Sequence, residues 1–74
     1  MKNWIVKKFL EQKIEKYRVG IKALNVYYSS LFVNNNYTHD VYEDIKLQKR
    51  IKIEAISEKI EIIKKVINYF NENN

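Results

Sequence analysis

The sequence predicts an all-α fold: two long antiparallel helices forming a helical hairpin, which dimerises into a four-helix bundle. Three observations carry that prediction. The 74-residue chain holds one glycine, no proline and 46% hydrophobic residues, so the strongest helix breakers are nearly absent and apolar side chains are plentiful. Apolar residues recur at alternating spacings of three and four in both halves, the signature of a helix face packed against a partner. The two series are also mirror images about Tyr37. Residue numbers that sum to 73 or 74 match: Leu10 with Ile63, Ile14 with Ile60, Tyr17 with Ile56, Ile21 with Ile53, Tyr28 with Ile45, Leu31 with Tyr42. Such a mirror is the register of two helices that run in opposite directions around a short loop.

The first helix is expected over about 4–33, with Asn3 capping its first turn through a side-chain oxygen. The run Asn34-Asn35-Asn36 ends it, since asparagine tolerates the left-handed conformation common just past a helix C-terminus. A loop is expected over 34–40. The second helix follows over about 41–70, with Asp40 and Glu43 spaced as a capping box and Asp44 as a second acid in the first turn. Residues 71–74 fray. One position breaks the mirror: Leu24 falls opposite Lys49 or Arg50, so the aliphatic stem of Lys49 is expected to cover it while the ammonium reaches water. Gly20, in mid-helix, costs about 1 kcal/mol against alanine and suggests a close backbone approach, such as a crossing of two hairpins.

The seam does not use all the apolar residues. Leu47, Ile51, Ala55, Ile62, Val66 and Tyr69 form a second stripe on helix 2, and Trp4, Ile5, Val6, Phe9, Val26, Tyr27 and Phe32 are surplus on helix 1. Full burial of a large apolar side chain is worth roughly 1.5–3 kcal/mol, so ten or so left in water forfeit an amount comparable to the stability of a small domain. The helix 2 stripe is therefore expected to be a self-association surface, and a homodimer is the most economical cover.

The net charge of +5 has two readings. It suits a polyanionic partner. It also follows from codon usage, because Lys, Ile and Asn supply 12, 11 and 9 residues and Tyr six more, all encoded by A/T-rich codons. That composition suggests a phage or other mobile element of a low-GC host. No run reaches the roughly 18 apolar residues that span a bilayer, and the start, Met1 to Lys8, does not read as a signal peptide, so a cytoplasmic location is expected.

Nothing in the sequence carries a catalytic signature. His39 is the sole histidine, cysteine is absent, and the one-turn pairs Glu11/Glu15 and Glu54/Glu58 lie outside the seam as solvated acids; Glu61 and Lys65 make an ordinary i,i+4 pair. No cofactor, metal or catalytic residue is assigned. The expected function is non-enzymatic: a small helical protein that binds and regulates or inhibits a macromolecular partner, most simply a protein. Two clusters near the loop are the expected contact residues, the aromatics Tyr27, Tyr28, Phe32, Tyr37 and Tyr42 and the cations Lys46, Lys49, Arg50 and Lys52. A nucleic-acid-binding accessory role through the lysine ridges is the alternative. An immunity-type or membrane-surface role, with Trp4 to Leu10 as an interfacial anchor, is the second alternative.

Overall fold

The computed structural model describes residues 2–72, and the side chains of all of these but Lys2, Asn3 and Asn34. Helix α1 runs from Lys2 to Asn34 and helix α2 from His39 to Glu72. Their 33 and 34 residues correspond to roughly 50 Å at 1.5 Å per residue. The molecule measures 55 × 17 × 10 Å, so it is a plate two helices wide and one helix thick. The helical hairpin predicted from the mirror pattern is the observed architecture.

The mirror register holds where the core forms. Ile14 and Ile60, expected opposite each other, share one buried cluster with Ile67, and Leu10, Tyr17, Ile21, Ile56 and Ile63 pack against it. Tyr28 is buried nearer the loop. Tyr42, expected opposite Leu31, sets its ring on Phe32 one residue further along, with ring centroids 4.8 Å apart. Two seam lysines cross between the helices: the ammonium of Lys59 lies 5.9 Å from the Tyr17 ring centre and that of Lys52 lies 5.7 Å from Tyr28. Lys49 and Leu24 are both half-buried.

Both helices are longer than the sequence suggests, and the caps explain why. The loop is 35–38, and Thr38 rather than Asp40 caps α2. Its Oγ1 accepts a hydrogen bond from the Val41 N–H at 3.4 Å, and its carbonyl accepts the first helical bond from the Tyr42 N–H at 2.9 Å. Capping two residues earlier places Asp40 inside the first turn, where the helix dipole favours an acid. Glu43 then has no cap to complete, and its carboxylate sits 3.7 Å from the Lys46 ammonium. The end of α1 differs as well. Among the described residues no non-glycine residue has positive φ, so the asparagine run does not end the helix through a left-handed residue. Instead the Asn35 side-chain amide donates to the Leu31 carbonyl at 3.3 Å, satisfying one of the carbonyls that a helix end leaves open. At the other end α1 already includes Asn3, whose expected capping side chain lies outside the described residues.

Gly20 lies open in the lone hairpin. A Cβ built on it meets nothing within 4 Å, so the hairpin by itself requires no close backbone approach there.

Candidate partner-binding surface

The loop end of the plate is built by the Thr38 cap and the Phe32–Tyr42 contact, which hold the last turn of α1 against the first turn of α2. Beside that contact lies an open groove of about 880 Å³, lined by Phe32, Tyr42, Lys46, Leu47, Lys49, Arg50 and Ile53 together with Glu43, Asp44 and Glu54. It follows from two spacings. Tyr42, Lys46, Lys49, Arg50 and Ile53 recur at three and four, so they share one flank of α2. Phe32 supplies the far wall from α1.

The groove gathers five of the nine residues expected at a partner surface: Phe32, Tyr42, Lys46, Lys49 and Arg50. The other four lie elsewhere. Tyr28 is 3% exposed and belongs to the core, with Lys52 stacked over its ring. Tyr27 packs edge-on against Tyr28, 5.2 Å between centroids, with most of its own ring in water. Tyr37 is half-buried in the loop.

Acids that the sequence assigns to other roles change the character of the site. Glu43, Asp44 and Glu54 line the same groove as the three cations. Lys46 pairs with Glu43 at 3.7 Å, and Arg50 Nε reaches Glu54 at 4.0 Å. The signal was present in the spacings i,i+3 and i,i+4. Lys46 also lies over the Tyr42 ring, 5.3 Å from its centre. The result is an apolar floor rimmed by balanced charge. Such a surface is suited to a peptide or helix carrying its own mixture of charges, and less suited to a polyanion.

The expected self-association stripe is exposed along its whole length. Leu47, Ile51, Ala55, Ile62, Val66 and Tyr69 all face solvent, with Ile51, Ile62 and Tyr69 more than half exposed. Beside it, a shallow acidic groove of about 440 Å³ is lined by Glu54, Ser57, Glu58, Glu61, Ile62 and Lys65. Glu61 pairs with Lys64 at 3.4 Å, correcting the expected pair with Lys65. At the open end of the hairpin Trp4, Ile5 and Phe9 are exposed, and Lys8 and Lys13 lie 5.2 and 6.0 Å from the Trp4 and Phe9 ring centres. Among the described residues no helix is long and apolar enough to cross a membrane.

Comparison with known proteins returned no match to any family model, to any curated protein or to any solved structure.

Proposed function

We propose that this chain is a non-enzymatic contact protein: two copies associate through the apolar face, and the assembly regulates or inhibits a protein partner held at the loop-end groove. The supporting observation is the imbalance of apolar surface. Four large hydrophobic residues are buried, whereas fifteen, from Trp4 to Tyr69, are exposed among the described residues. Exposed apolar area on that scale is the mark of an interaction surface. A protein partner is preferred to nucleic acid because the groove carries three acids among its three cations. The exposed Trp4, Ile5 and Phe9 beside Lys8 and Lys13 favour contact with a membrane surface as the second reading.

The test is purification of the tagged chain from its host, with nuclease, beside a Tyr42→Ala/Arg50→Ala variant. Retention of one protein by the native chain and its loss by the variant, at unchanged helix content, supports the proposal. A partner lost on nuclease treatment overturns it in favour of nucleic acid, and sedimentation of the chain with anionic liposomes favours the second reading.

A further inference from the structure

The exposed faces of the two helices match each other in a way that specifies how two copies fit. On α1, Phe9, Lys16, Gly20, Ala23 and Tyr27 form a stripe about 100° around the helix from the seam. On α2, Ile51, Ala55, Glu58, Ile62 and Val66 form one about 130° from the seam. Both are displaced in the same rotational sense about their own chain direction. Because the helices run oppositely, that sense brings both stripes to one face of the plate. Lys46 and Arg50 lie on the other flank of α2, so the cations of the loop-end groove stay open when this face is covered, and Leu47 is the one lining residue at the shared edge.

The total surface leaves room for a cover of ordinary interface size. The chain exposes 6112 Å². A compact monomer of its 9.0 kDa mass exposes roughly 4,900 Å² by the usual scaling. The excess, roughly 1,200 Å² per chain, is ample for two copies to form a standard interface of about 1,600 Å² in total.

We propose that the occupant is a second copy of this chain, related by a two-fold axis parallel to the helices, so that α1 of each copy packs antiparallel on α2 of the other. This inference rests on the self-association proposed above and adds its geometry. Within the hairpin, residue n of α1 is level with residue 74 − n of α2, as the shared Ile14–Ile60 cluster shows. A two-fold parallel to the helices keeps every residue at its own height, so the same level pairing recurs between the copies. Tyr27 then meets Leu47 of the other copy, and Ala23 meets Ile51. Gly20 falls beside Ala55, small against small, so the open space over Gly20 becomes the point where two backbones approach. The charge in the middle of each stripe finds its opposite: Lys16 is level with Glu58. Among the described residues neither has an ion-pair partner within the chain. A two-fold perpendicular to the helices packs each stripe on its own copy. Ile51 then meets Ile62 and Leu47 meets Val66, but Glu58 faces Ala55 with no counter-charge, which is the costlier arrangement.

The native chain has no cysteine, so single cysteines report the arrangement directly. Ala23→Cys and Ile51→Cys chains are unfolded together, refolded as a mixture and oxidised, with circular dichroism confirming native helix content. The expected result is a disulfide-linked 23–51 heterodimer from the mixture and none from either variant alone. In parallel, Lys16→Glu weakens the dimer about tenfold in sedimentation, and Lys16→Glu/Glu58→Lys restores it. Dimerisation of the native chain, with no 23–51 link from the mixed variants, overturns the arrangement alone. Linkage of Ile51→Cys to Ile62→Cys then identifies the perpendicular axis. A native chain that sediments as a 9.0 kDa monomer at about 100 times the concentration expected for a micromolar dimer overturns both the arrangement and the self-association beneath it.

Discussion

Ile60 and Ile62 are two residues apart and chemically identical, yet the structure assigns them opposite energetic roles. Ile60 is 6% exposed in the seam and Ile62 is 61% exposed on the outer face. Truncating Ile60 to alanine removes three buried carbons and leaves a hole between two helices, a loss of about 3 kcal/mol. Truncating Ile62 in a lone hairpin removes atoms that are mostly in water, about 0.5–1 kcal/mol, and alanine's better helix propensity returns about 0.4 of that. The expected cost in the lone hairpin is therefore near zero. In a dimer that buries the outer face, the cost at Ile62 rises to about 2 kcal/mol per chain. Urea unfolding followed by helix signal at about 5 and about 500 µM separates the two situations, because only an assembled state gains stability with concentration. Ile60→Ala should lower the midpoint strongly at both concentrations, and Ile62→Ala only at the higher. A small, equal shift for Ile62→Ala at both concentrations would refute burial of the outer face. A shift at Ile60 no larger than that at Ile62 would refute the seam register.

Three further outcomes follow from local features. Thr38→Ala should lower hairpin stability by about 1 kcal/mol, read as a shifted unfolding midpoint, while Asp40→Asn changes it less, because Thr38 and not Asp40 holds the Val41 N–H. Gly20→Ala should raise stability by about 1 kcal/mol in dilute solution, where its Cβ meets nothing, and should weaken the dimer measured by sedimentation, where the methyl intrudes on Ala55 of the other copy. His39→Ala should leave both fold and partner capture intact; loss of capture with native helix content would call for a role of the imidazole itself.

Patterns that depend on a whole helix were legible in the sequence, and features set by a single turn were not. The Ile14–Ile60 register is over-determined, because slipping it by one residue breaks six matched pairs at once. The cap of α2 falls on Thr38, two residues before the expected Asp40, and residue type alone does not separate two side chains that each present an oxygen. Thr38 holds the Val41 N–H and accepts the first helical bond from Tyr42, which places Asp40 inside the first turn. Gly20 is open in the lone hairpin, and a crossing of two hairpins there is not a property of one chain. In the loop-end groove, aromatic and basic residues attract notice as types, whereas Glu43, Asp44 and Glu54 enter only through their spacing to Lys46, Gln48 and Arg50. Tyr28 carried two expectations, a seam position opposite Ile45 and a place in the contact cluster, and its burial fits the seam and not the contact cluster.

The one-layer hairpin also dictates the order in which the chain assembles. Partners across the seam are roughly ten residues apart in sequence at Phe32 and Tyr42, and more than fifty apart at Leu10 and Ile63. Closing the longer loop directly costs about 1.5 kcal/mol more than closing the shorter. Each pair formed near the loop shortens the closure that the next one faces. Folding should therefore start at the Thr38 turn and advance as a zipper toward the open end. Backbone amides should exchange with solvent in the reverse order, fastest around Phe9 and Tyr69 and slowest in the seam turns nearer the loop. The end that closes last is the one that carries Trp4, Ile5 and Phe9. The seam residues beside them, Leu10, Ile63 and Ile67, are thus the last to find cover during folding and the first to lose it when the native state opens.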